Sequence, residues 1–149
     1  MNIFSRLQKN HSAMLESMEN LYQCHFYEQE NRLVCLHNLK NEQRNQIRLE
    51  ESVFYALLKA ENEIHPEIIE AFNEHHIMGI LLHELEEALM DKEAWNKKLT
   101  DFKQLLEMHI DKEARIFTRA YPPAVQDEMT QLLEKMATEE ARYPLVSVA

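Results

Sequence analysis

Apolar residues recur along this chain in steps of three and four, the period of one helix face. Leu7, Met14, Leu15, Met18 and Tyr22 form the first stripe, with His11 as its polar member. They predict a helix over about 3–27 and a turn at GluGlnGluAsn, residues 28–31. Leu36, Leu39, Val53 and Leu57 predict a second helix over about 32–60, whose face is broken by Gln43, Gln46 and Glu50. Pro66 suits the first position of a third helix, where a missing N–H costs nothing. Ile68, Phe72, Leu82, Leu85 and Leu89 carry the third apolar face past His75 and Gly79 to about Met90. Asp91 is a favourable N-cap for a fourth helix, with a face of Leu99, Phe102, Leu106, His109, Glu113 and Ile116 that Pro122 and Pro123 terminate. A shorter amphipathic piece over about 124–141 carries Met129, Leu132, Leu133 and Met136, and residues 143–149 form a tail.

Helices of this length with short connections pack antiparallel. The expected fold is all-α: an up-down-up-down four-helix bundle over about 3–120 with a short fifth C-terminal helix, all in one domain spanning 1–149.

Composition supports that reading. A single glycine, Gly79, in 149 residues cannot supply the turns and phosphate loops of Rossmann, P-loop or small-barrel folds. The formal charge of −10 comes without a basic stripe, so nucleic acid is not an expected partner. The longest apolar run, 77–82, is far too short to span a bilayer, and the amino terminus lacks a signal-peptide core, so the expected location is cytoplasmic. Cys24 and Cys35 match neither a disulfide framework nor a zinc cluster and read as reduced thiols.

The informative feature is what interrupts the stripes: His11, Gln46 with Glu50, His75, and His109 with Glu113. Residues four apart share a helix face, so His109 projects with Glu113 and Gln46 with Glu50. In an antiparallel bundle all of these positions fall toward one end. Buried imidazoles and carboxylates need mutual pairing or a shared cation, and this set is able to grip a metal. Glu51 replaces Glu50 if the register shifts by one. His25, His37, His65, His76 and the His83–Glu87 pair lie off the inward faces, and neither a HExxH nor an ExxH motif is present.

Four segments, LeuGlnLysAsnHis at 7–11, LeuGluGluSerValPheTyrAlaLeu at 49–57, GluHisHisIleMetGlyIleLeuLeuHisGluLeu at 74–85 and HisIleAspLysGluAlaArgIlePhe at 109–117, together resemble the hemerythrin-like, or HHE cation-binding, domain. The resemblance covers about 3–140. It implies a non-haem di-iron centre, with His11, His75 and His109 as terminal ligands and Glu50 and Glu113 as bridges, and with O2, NO or peroxide as the small ligand. It implies a metal- and ligand-binding protein for sensing, storage or stress response more than an enzyme. Two departures stand out. Gln46 occupies the place of a histidine, so the ion beside His11 is more weakly held, and mononuclear Fe, Mn or Zn becomes an alternative. Gly79 stands where oxygen carriers place another histidine; its missing side chain leaves room for a small ligand, or for close packing by Phe102 or Tyr22. An iron-sulfur repair or nitric-oxide-handling di-iron protein, and a helical scaffold without metal, are the alternative functions.

Overall fold

The computed structural model describes residues 2–60 and 66–142, the side chains of 55–60, 133 and 136–142 excepted. It comprises α1 (Ile3–Gln23), α2 (Gln29–Ala60), α3 (Pro66–Glu87), α4 (Lys92–Ala120) and α5 (Pro123–Arg142), with no strand among the described residues. The first four form a closed square: α1 packs on α2 and α4, and α3 on α2 and α4. The all-α bundle with a fifth helix is therefore the fold. Along-chain neighbours are also spatial neighbours because the connections are short.

The helix ends have local causes. Asn2 caps α1 by accepting the Ser5 N–H at 2.8 Å, and Asp91 caps α4 by accepting the Ala94 N–H at 3.2 Å. The first turn falls at 24–28 rather than 28–31. Glu28 makes the difference: its carboxylate accepts the His25 N–H at 3.0 Å and the Asn31 amide at 2.9 Å, which fixes the chain just before α2. The α3 helix stops at Glu87, short of the expected Met90. Just beyond it, the Leu89 carbonyl accepts Nη1 of the buried Arg32 at 2.9 Å, and that guanidinium stacks on Phe26 and Trp95. The α5 helix lies against α1 and α2, with Thr130 Oγ1 accepting the Ile3 N–H at 3.2 Å.

Most stripe residues face inward as the periodicity requires. Tyr22 does not: the buried face of α1 runs Leu7, His11, Met14, Met18, Leu21, and Tyr22 is rotated about 100° past it, 44% exposed. Leu132 on α5 is also exposed. The expectations for Leu57, Leu133 and Met136, and for the tail, fall outside the described side chains and residues.

The apolar core is in two pieces. One joins Phe4, Leu7, Val53, Phe54, Ile68, Ala71, Ile116 and Phe117. The other joins Met14, Met18, Leu36, Leu39, Met78, Leu82, Leu99, Phe102 and Leu106. On every helix the break falls between these sets: after Leu7 on α1, before Val53 on α2, after Ala71 on α3, before Ile116 on α4. A polar layer crosses the bundle at that level.

Candidate metal centre

Each of the four helices delivers polar side chains to this layer, because each carries them on its buried stripe. His11, Glu50, His75, His109 and Glu113 are all buried. Nε2 of His11 contacts Glu50 Oε1 and lies 3.1 Å from Glu113 Oε2. Nε2 of His75 is 2.8 Å from Glu50 Oε2 and 3.0 Å from Glu113 Oε1. Nε2 of His109 is 2.5 Å from Glu113 Oε1, within its own helix, and 3.8 Å from Glu50 Oε2. The two carboxylates thus sit among three imidazoles.

The donor set fits a cation on three observations. His75 Nε2 has His109 Nε2 at 3.0 Å as well as the two carboxylate oxygens, and one ring nitrogen carries at most one hydrogen to share among three acceptors. Glu113 Oε2, despite its proximity to His11, is buried without a hydrogen bond. Finally, ligand atoms of Glu50, His75, His109 and Glu113 lie within 4.8 Å of one another. Imidazole and carboxylate together suit first-row transition metals.

Without a cation, the layer balances itself by protonation. Burial disfavours imidazolium, but the adjacent carboxylates of Glu113 and Glu50 outweigh it and raise His11 and His75 to about 9. His109 rises to about 10 through the same competition, with Glu74 adding to it. Burial pushes Glu50 up, yet hydrogen bonds from His109, His11 and His75 hold it well below the usual carboxylate range. The imidazoles that take up these protons are the groups that a metal requires free of them.

Gln46 is buried at the same level. Its Nε2 donates to Glu50 Oε1 at 2.9 Å and to the Leu7 carbonyl at 3.4 Å. A cavity of about 10 Å³ adjoins it, lined by His11, Met14, Gln43, Gln46, Ile47, Glu50, Met78, Leu106, His109 and Ile110. Gly79 is not among those residues. It is on the exposed flank of α3, and a Cβ built there meets nothing within 4 Å, so it neither opens the layer nor admits a packed neighbour. The buried stripe of α3 is Ala71, Glu74, His75, Met78, Leu82 and Leu85, and one step past Met78 turns Gly79 out of it. Glu50 rather than Glu51 faces the layer: Glu51 is 48% exposed and approaches only the far nitrogen of His75, Nδ1, at 3.5 Å. His83 and Glu87 pair at 2.7 Å on the outer surface.

Sequence reasoning missed Glu74 and Lys112. Glu74 is buried and its Oε1 lies 2.9 Å from His109 Nδ1, while Lys112 Nζ bridges Glu74 Oε2 at 2.7 Å and Glu70 Oε1 at 2.6 Å. The signal was present, since Glu74 stands three after Ala71 and four before Met78 on the buried stripe. Its partner, however, is on another helix and has no local signature.

A family model described as the hemerythrin HHE cation binding domain matches residues 2–121. No curated protein and no solved structure matches the chain. Among the described residues no helix is long and apolar enough to cross a membrane.

Proposed function

The chain belongs to the hemerythrin HHE cation-binding domain family, and from that premise we propose that its polar layer holds iron and, through it, a small ligand: O2, NO or peroxide. The observation that carries this reading is the convergence of three Nε2 atoms on Glu50 and Glu113 in a layer sealed from both sides by apolar core. His11, Glu50, His75, His109 and Glu113 are the residues that would hold it. Iron held there would supply redox and Lewis-acid chemistry to the small ligand.

The rest is the work of the chain's own residues. Glu74 holds the Nδ1 side of His109, leaving Nε2 aimed at Glu113. Lys112 anchors Glu74 from outside. Phe54 and Phe117 on one side and Met78 and Leu106 on the other exclude bulk water and keep the local dielectric low.

A one-ion centre is the second reading. Glu50, His75, His109 and Glu113 form a compact set without His11, and beside His11 stands an amide in place of a second imidazole. Metal content per chain after expression in iron-supplemented medium, read with the ultraviolet-visible spectrum before and after azide, separates the readings. Two irons with oxo-bridge bands support the di-iron centre, and one iron supports the mononuclear one. Absence of metal together with a melting temperature indifferent to chelator would refute both and leave a scaffold, because a ligand bound only by the native state must stabilise it.

A further inference from the structure

Gln43 Oε1 and Gln46 Oε1, one turn apart on α2, are shielded from water and have no hydrogen-bond partner. Both residues line the cavity of about 10 Å³ beside His11. That is the space of about one water molecule. The orientation of Gln46 is pinned from the opposite side. Its Nε2 donates to Glu50 Oε1 and to the Leu7 carbonyl, and turning the amide over would set an oxygen against two acceptors. Oε1 therefore stays free to accept, on a residue that lines the cavity, and a buried acceptor is costly until a donor reaches it.

O2 and NO carry no hydrogen and cannot be that donor. Water and hydrogen peroxide carry O–H groups and can. We propose that Gln46 makes this cavity a pocket for a single O–H group, that of a water or of one end of a hydrogen peroxide, on the His11 side of the centre, and disfavours O2 and NO there. Where relatives are expected to offer an imidazole, this chain offers an acceptor that holds a ligand in place. The pocket itself follows from the placement of Gln46 and its neighbours, and its bearing on ligand choice rests on the iron-centre reading above.

Two experiments on the full chain test this. A high-resolution crystal structure of the metal-free protein is expected to show one ordered water within hydrogen-bond distance of Gln46 Oε1. In parallel, ferrous protein is titrated with NO and ferric protein with hydrogen peroxide, for the wild type and Gln46→Leu. The variant is expected to bind NO at least about tenfold more tightly, about 1.4 kcal/mol. A matching loss of peroxide affinity assigns the pocket to peroxide, and an unchanged one assigns it to water. A dry cavity, a metal ion bonded directly to Gln46 Oε1, or an unchanged NO affinity would overturn the proposal while leaving the iron reading intact. If iron never loads, the iron reading fails, and the metal-free crystal still decides whether the pocket exists.

Discussion

Glu74 Oε1 stands 2.9 Å from Nδ1 of His109, and Lys112 Nζ holds the other oxygen of Glu74 at 2.7 Å. The first contact decides which ring nitrogen of His109 faces the polar layer. The second keeps the carboxylate charged: burial raises Glu74, and hydrogen bonds from Lys112 and His109 bring it below its ordinary value. Replacing Glu74 with Ala is expected to weaken metal affinity by about 10- to 100-fold, with helix content unchanged. Glu74→Gln, which keeps an acceptor for Nδ1–H, should lose less. Competition titration with a chromophoric chelator measures both, and equal losses in the two variants would rule out an orienting role.

The pH dependence of the metal-free protein has a defined sign. His11, His75 and His109 bind their protons more tightly folded than unfolded, with folded values of about 9, 9 and 10 against an ordinary 6.5. Their stabilising contribution is complete below pH about 6.5 and disappears as pH rises through 9 to 10. Melting temperatures of the metal-free chain should therefore fall between pH 7 and pH 10. Metal affinity should move the opposite way over the same range, since those protons must leave first. A metal-free melting temperature that climbs steadily to pH 10 would contradict the imidazolium-carboxylate layer.

Adjacent glutamates on α2 should differ sharply. Glu50 is buried against His11 and His75, whereas Glu51 is half-exposed and 3.5 Å from His75 Nδ1. Glu50→Ala is expected to abolish tight metal binding. Glu51→Ala should shift stability by no more than about 0.5 kcal/mol, as surface substitutions usually do. Isothermal titration with Fe2+ or Co2+, alongside denaturant unfolding, distinguishes them, and equal effects would mean that α2 is rotated by one residue.

Gly79→Ala should stabilise the protein by about 1 kcal/mol, the helix-interior difference between the two residues, because the added methyl meets open space. Metal content and ligand affinity should not change. A loss of ligand binding in this variant would restore Gly79 to the site and conflict with its place on the outer flank of α3.

Helix number, order and inward faces were legible in the sequence because a helix buries a stripe set by a period of about 3.6 residues, and each of the four long segments displays one. The polar interruptions were legible for the same reason: His11, Glu50, His75, His109 and Glu113 fall on those stripes and are buried. Helix periodicity is a property of neighbours along the chain, so one sequence carries it in full. What lies between helices is different. The distances among three imidazoles and two carboxylates, the reach of Glu74 and Lys112 from α3 and α4 to one another, and the cavity at Gln46 depend on how the helices rotate and stagger when packed. The outward turn of Gly79 and the choice of Glu50 over Glu51 depend on that rotation too, because one residue is about 100° of a helix and only packing fixes which direction is inside.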